Sequence, residues 1–596
     1  MVDRYPCYVM ALQDESLSSV DRRTFLAGIS AASGVAVSGC IGSDDEDLGE
    51  EVGEVVIEYA PDAGGVSEMM EDALPTITAN MEMLGIDVET SPVSTSETIG
   101  NVVNDTRTMD IWLIFNTGSL DNLDPQEYLF RYHISQAGGG AINQANWANC
   151  EYSTLVSEQE LTAEPDERQQ VVSDALQVMG ENHVTVPLFP IEVEGAANTD
   201  RVNVPDLGSW GLVFDFPHSF IEAEPTEGNE LRTSAPIPMV ERTNFTQVDF
   251  TIPFLMWNLL VHSTLIEYDK EFELVPGLAE DWEVLDENII FELRDDATFH
   301  NGDPVTVEDV KFTYEFIDRN HDQIFKAVDT PLNEVQIIDD STVEFDYDSP
   351  YPPAMGRDLP AFGVLHQDTW EEAEGNLAEF EPDPLIGSGP YQLEQFESGE
   401  FLILTPHEDH PVHSPGHDLI ITAYRDERTA FEAFQAGEID IIEEISPSIR
   451  RDIEEMDDAE LFPFPGTLPM NMNFQTPKPP SKFHEFRRAV GMAIDRREIN
   501  QIVYDGEGTE PTNSIIFQEN HPSWPGDDNV PTYTDDPAGD IEGARAVLEE
   551  AGWGWDGNDN LHYPEDADLS ELWEAEGRPD PDDFDCLDDD GSIVLD

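Results

Sequence analysis

Four histidines, His407, His410, His413 and His417, stand within eleven residues, a density of imidazoles that suits nickel or zinc. Pro406, Pro411 and Pro415 break any helical or strand periodicity there, so the bland alternative is a solvated loop without an ion. The terminal string Asp588-Asp589-Asp590-Gly591 hints at calcium, but an EF-hand register puts Cys586 at the first ligand position and no closing Glu follows. No P-loop, nucleophile elbow or zinc-protease helix occurs, and no spacing pairs a nucleophile with a base. Binding, with no cofactor, is therefore expected ahead of catalysis.

Cys40 has a context of its own. Arg22 and Arg23 precede a short apolar stretch that runs to Val37, and Val37-Ser38-Gly39-Cys40 follows. Twin arginines ahead of such a stretch resemble a Tat export signal, and the four residues ending in Cys40 resemble a lipobox. The stretch is too short for a transmembrane helix. Residues 1–39 are read as a signal, and Cys40 as the lipidated residue that anchors the mature chain to the outside of the cell membrane. Cys7, Cys40, Cys150 and Cys586 are too few for a disulfide framework; Cys150 and Cys586 could pair outside the cell, but with Cys586 in the acidic tail both are left free by default.

The elements that must position any site sit in a very acidic chain. Its 596 residues carry 127 Asp plus Glu against 27 Lys plus Arg, a formal charge of −100, which repels nucleic acid and anionic membranes. With 39% hydrophobic residues and 30 Phe, a core can nonetheless be buried, so the acidity is read as a halophilic surface.

Residues 40–54 read as an acidic tether and 566–596 as an acidic tail. Between them, Val55-Val56-Ile57-Glu58-Tyr59, a helix over Ser67 to Leu84, Ile86-Asp87-Val88 and the apolar Asp110 to Phe115 alternate strand and helix, an α/β signature. A first module, 55–221, is joined by a polar junction, 222–230, to a second, 231–565.

Family motifs appear in the second module. Pro276-Gly277-Leu278-Ala279-Glu280-Asp281-Trp282, Phe291-Glu292-Leu293-Arg294 and Phe299-His300-Asn301-Gly302-Asp303-Pro304 come first. Gly387-Ser388-Gly389-Pro390-Tyr391, Ala436-Gly437-Glu438-Ile439-Asp440, Asn471-Met472-Asn473-Phe474 and Phe486-Arg487-Arg488-Ala489-Val490 follow, leading into Ala493-Ile494-Asp495-Arg496. In this order they resemble the extracellular solute-binding proteins of the peptide/nickel ABC transporter family, solute-binding protein family 5. The resemblance implies a two-lobed periplasmic-binding-protein-like α/β fold with a hinge and an extra subdomain, about 266–360, on the first lobe. It also implies a monomer that captures peptides and delivers them to ABC permease subunits, with sugar or nickel as other solutes and a chemosensory surface lipoprotein as another role.

The order of the modules departs from the family. Asn149-Cys150-Glu151-Tyr152, Asp166-Glu167-Arg168 and Val186-Pro187-Leu188-Phe189 resemble the family's C-terminal portion yet stand at the front. The chain thus resembles a circular permutant, tolerable when old termini are close and the new cut is exposed. The second lobe is then expected from Val55 to about Arg201 together with about Thr422 to Glu565, with both chain ends on it.

In peptide-binding members a carboxylate meets the ligand's amino group, and Leu120-Asp121-Asn122-Leu123-Asp124-Pro125 matches that stretch. The resemblance puts Asp121 in that place with Asn122 beside it, while Trp112 is expected to line the cleft. A helix-capping role for Asp121 and core packing for Trp112 are the alternatives. The arginine that holds a free dipeptide's carboxylate in the family has no counterpart in Ala60 to Val66, which favours longer peptides.

Overall fold

The computed structural model describes residues 48–596 except 62–64, 117, 141, 249–250, 444, 465, 507, 527–529, 589–592 and 595–596; the side chains of Gly65 and Asp121 are likewise outside it. Arg22, Arg23 and Cys40 lie outside the described residues, with the whole signal segment. Among the described residues no helix is long and apolar enough to cross a membrane.

Two large sheets organise the chain. One has five strands in the order Val88–Pro92, Val55–Tyr59, Ile111–Ile114, Pro469–Phe474 and Thr185–Pro190. The first three run parallel; Pro469–Phe474 is antiparallel to both of its neighbours. Val55–Tyr59 forms a strand because it is β-branched and aromatic-rich, and its interior residues Val55 and Ile57 are fully buried. Helices Gly65–Glu82, His484–Ala493, Arg496–Val503 and Ile541–Glu550 supply apolar side chains to the same core, in which Met70, Ile77, Phe486 and Leu548 meet. This lobe is built from the two ends of the described chain.

The other sheet has seven strands: Tyr391–Glu397, Phe401–Pro406, Asp418–Tyr424, Glu230–Pro236, Ile441–Ile442, Val193–Asn198 and Ala459–Phe464. An antiparallel four-stranded sheet, Ala279–Val284, Asn288–Leu293, Thr342–Tyr347 and Leu332–Ile337, shares its core. Helix Val307–Arg319 packs against that sheet and begins with a reciprocal cap in which Thr306 and Asp309 satisfy each other's backbone N–H.

The chain passes between the large sheets twice, and the passages are neighbours. Thr185–Pro190 leads through residues 191–192 into Val193–Asn198, and Ala459–Phe464 leads through 465–468 into Pro469–Phe474. Pro190 pairs with Pro469 and Val193 with Phe464, while the Ile191 N–H donates to the Leu468 carbonyl at 3.1 Å. These positions correct the expected lobe limits near Arg201 and Thr422. Asp418–Tyr424 pairs in parallel along its whole length with Glu230–Pro236, so it belongs to the seven-stranded sheet. Its pairing partner, remote in sequence, decides its sheet.

The ends are also more ordered than their composition suggests. Leu48–Glu51, inside the expected tether, is a strand paired with Leu561–Pro564. The acidic tail is strapped to the five-stranded lobe: Trp573 Nε1 donates to Asp105 at 3.1 Å, Arg107 pairs with Glu571 at 3.0 Å, and Gly139 N donates to the Gly577 carbonyl at 2.8 Å. Cys150 and Cys586 form a disulfide across 436 residues, correcting their reading as free thiols. Basic residues contribute to the docking of so acidic a segment: Arg107 and Lys482 reach Glu571 and Asp568, and Arg578 of the tail donates to the Gly139 carbonyl.

Candidate functional site

A cavity of about 290 Å³ lies where the lobes face each other. From the five-stranded lobe it is lined by Trp112 within strand Ile111–Ile114 and by Ala60, Phe115 and Asn116 just past the C-terminal ends of Val55–Tyr59 and Ile111–Ile114, and from the other side by Thr251 and Lys326. Ligands of open α/β sheets sit outside the carboxyl ends of the strands. A larger cavity, about 610 Å³, opens beside Pro190, Gly466, Asn513 and Trp524. Its walls are the passages between the sheets and the 509–532 loop of one lobe, so it lacks the two-sided enclosure that desolvates a solute. The smaller cavity is the candidate site.

Of the residues singled out in the sequence, Trp112 and Asn122 both line this cavity. Trp112 is 5% exposed and packs with Val102 and Met109, so it serves the core and the cavity wall together. Asn122 Nδ2 donates to Ser119 Oγ at 2.8 Å, and the Asn122 carbonyl receives His521 Nε2 at 3.3 Å. The Asp121 backbone sits in the 3₁₀ turn Leu120–Asn122; its side chain lies outside the described residues. The cap of the following helix, Pro125–Leu129, is Asp124, whose carboxylate accepts the Gln126 N–H at 2.9 Å.

Asn116 was not picked out by sequence reasoning. It is 2% exposed, its Oδ1 accepts from Gln144 at 3.1 Å, and its Nδ2 has no protein partner among the described residues. A buried amide donor without an acceptor, in a cavity wall, is a place for a ligand oxygen. Its position just beyond an apolar strand was the available signal.

Charge around the turn is tightly matched. Arg168 grips Asp124 with two parallel hydrogen bonds of 2.8 Å. Burial pushes the Asp124 carboxyl upward, but the Arg168 charge and hydrogen bonds and the Gln126 N–H outweigh it and hold it below the usual carboxylate range. Glu127 behaves alike: burial opposes its charge, yet Arg131, Lys326 and Arg357 bring it down to about 2. Lys326 reaches Glu127 from the other lobe at 3.9 Å. At Gly356 a Cβ would come within 2.3 Å of the Asp124 carboxylate, so only glycine permits this approach.

The histidine loop is not solvated. His407, His410 and His417 are buried, and their nitrogens are committed to different partners. His407 Nδ1 donates to the Gly389 carbonyl at 3.2 Å, His410 Nε2 lies 3.0 Å from Ser263 Oγ, and His417 Nε2 lies 3.1 Å from both the Tyr391 hydroxyl and the Phe220 carbonyl. Burial lowers His410 to about 3. The four rings therefore do not converge on one ion. His413 alone faces a carboxylate, Glu267, at 2.6 Å. The density of histidines was visible in sequence; the strand and carbonyls that claim them were not.

A sequence profile described as bacterial extracellular solute-binding proteins, family 5 middle, matches residues 273–582. The chain belongs to this family. Among curated relatives, this family member is 27% identical over 326 residues to heme-binding protein A of Haemophilus influenzae, covering 49% of the chain and 56% of the relative. It is 25% identical over 317 residues to the dipeptide-binding protein of Escherichia coli, covering 49% and 58%. The chain thus spans somewhat over half the length of the curated relatives it matches. Among solved structures, NikA from Brucella suis in complex with Fe(III)-EDTA aligns with a TM-score of 0.46 at 22% identity, covering 58% and 68%. The oligopeptide-binding protein AppA from Bacillus subtilis in complex with a nonapeptide aligns with a TM-score of 0.43 at 20% identity, covering 59% and 68%.

Proposed function

We propose that this family-5 protein captures a peptide in the cavity between its lobes and hands it to the permease subunits of an ABC importer. The observation that carries this reading is a cavity walled by both lobes, with Asn116 offering a buried amide N–H beside the turn that holds Asp121. A ligand ammonium meets the Asp121 carboxylate, and peptide carbonyls meet donors such as Asn116. The protein is exported through the twin arginines Arg22 and Arg23 and held on the outer face of the membrane by a lipid on Cys40. The Cys150–Cys586 disulfide supports an oxidising compartment, and a charge of −100 supports a salt-rich one.

The gene order is read as a circular permutation. The profile match begins at residue 273, behind four strands of the five-stranded sheet, and the segments 48–55 and 553–564 that the older order would connect lie together. The replacement joint is short, with Glu224–Pro225 paired to Val202–Asn203 just before Glu230–Pro236 begins.

The test is thermal unfolding of the mature protein in high salt against peptides, sugars and Ni²⁺, repeated with Asp121→Asn. A peptide at a hundred times its dissociation constant is expected to add about 2.7 kcal/mol, and the variant to lose that gain. Stabilisation by sugar or Ni²⁺ alone, or peptide stabilisation indifferent to Asp121→Asn, would overturn the reading.

A further inference from the structure

His413 and Glu267 have a third neighbour that lies far away in sequence. One ligating atom each of His218, Glu267 and His413 falls within 4.8 Å of the others. His218 immediately precedes the short helix Ser219–Glu222, Glu267 sits in strand Ile266–Tyr268, and His413 lies in the loop between Phe401–Pro406 and Asp418–Tyr424. His218 and Glu267 are each 5% exposed, and none of the three lines the cavity assigned to solute.

We infer that His218, Glu267 and His413 form a resident binding site for a divalent transition ion, best suited to Zn²⁺, inside the seven-stranded lobe. Two imidazoles and a carboxylate are a donor set that zinc accepts in a tetrahedron, leaving a fourth position for water. The surroundings fit. His218 Nε2 lies 3.3 Å from the Leu259 carbonyl, which can only accept, so Nε2 carries the proton and Nδ1 keeps the lone pair. Such a carbonyl on the far nitrogen fixes the tautomer of a metal-ligating histidine. His410 steadies the loop: its ring stacks on His413 with centroids 5.6 Å apart, and its Nδ1 receives the His413 backbone N–H at 2.9 Å.

An ion here joins three segments that the backbone does not otherwise connect closely, and so acts on the stability of the lobe. The alternative occupant of the same space is the proton shared by Glu267 and His413, an ion pair needing no metal.

Chelator-treated full-length protein in high salt, where nonspecific cation binding to the acidic surface is screened, separates the two. About one equivalent of Zn²⁺ retained through gel filtration, a rise in unfolding temperature, and the intense visible bands of four-coordinate Co²⁺ on substitution are expected. Glu267→Gln and His413→Asn should each weaken Zn²⁺ binding by more than about tenfold, the lower limit for losing even an outer partner of a zinc ligand. Zn²⁺ uptake by the wild type no greater than by folded His413→Asn, or a Co²⁺ adduct without those bands, would overturn the site. The wild-type Co²⁺ spectrum decides the matter even if a variant fails to fold. Peptide binding is read separately, so failure of either assignment leaves the other standing.

Discussion

The two lobes solve the same problem with opposite connectivity. The seven-stranded lobe takes all of its strands from Val193–Asn198 to Ala459–Phe464, an uninterrupted stretch, whereas the five-stranded lobe combines four early strands with Pro469–Phe474. Segments distant in sequence meet at a larger loop-closure cost. The composite lobe also carries the described cross-links between remote parts of the chain: the Cys150–Cys586 disulfide, the tail strap, and Arg496, whose guanidinium donates to the Pro187 carbonyl at 2.9 Å from the opposite end of the sequence.

Three perturbations test that contrast, in falling order of effect. Arg168→Ala leaves Asp124 buried without its cation, and removal of one partner from such a pair typically costs about 3–5 kcal/mol; urea unfolding should show a loss of that size. Hydrogen exchange should then rise in Ile111–Ile114 before it rises in Phe401–Pro406, and uniform acceleration in both would count against separable lobes. The double variant Cys150→Ser/Cys586→Ser should lose about 2–4 kcal/mol, with faster exchange confined to the composite lobe and to residues 566–588. Equal melting temperatures for the oxidised and reduced wild type would show that the strap holds without its covalent link.

Acid gives the third. Glu127 has its folded pKa depressed to about 2, so its contribution is complete above the ordinary value near 4.5 and is lost as pH falls from about 4.5 to about 2. That contribution is at most about 3 kcal/mol by the pKa difference, and Glu127→Gln should flatten the acid limb of the stability profile in that window. An unchanged limb would assign acid sensitivity to other carboxylates.

Local chemistry carried most of what could be read in advance. Val55–Tyr59 and Ile111–Ile114 are strands by composition, and the ordered motifs pointed to the family because each is a local string. Asn122 was singled out by a short matching stretch and Trp112 by its place on the strand before it; both line the cavity. What escaped depended on long-range partners. The last residues read only as an acidic tail, yet Arg107 pairs with Glu571 from far up the chain and the tail's own Arg578 donates to the Gly139 carbonyl. The loop after Pro406 looked like solvent-facing chain because of its prolines, but Gly389, Ser263 and Glu267 accept or share its imidazoles. Asn116 escaped because nothing local marks an amide as lacking a partner.

The paired passages at Pro190 and Pro469 make the contiguous lobe a guest within the composite one. It enters and leaves through positions that are already cross-strand neighbours, like the two feet of a graft. Genetic excision of residues 191–468 and closure by a tight turn would therefore leave a host whose sheet order is unbroken, and any other guest with adjacent ends could be sewn into the same seam.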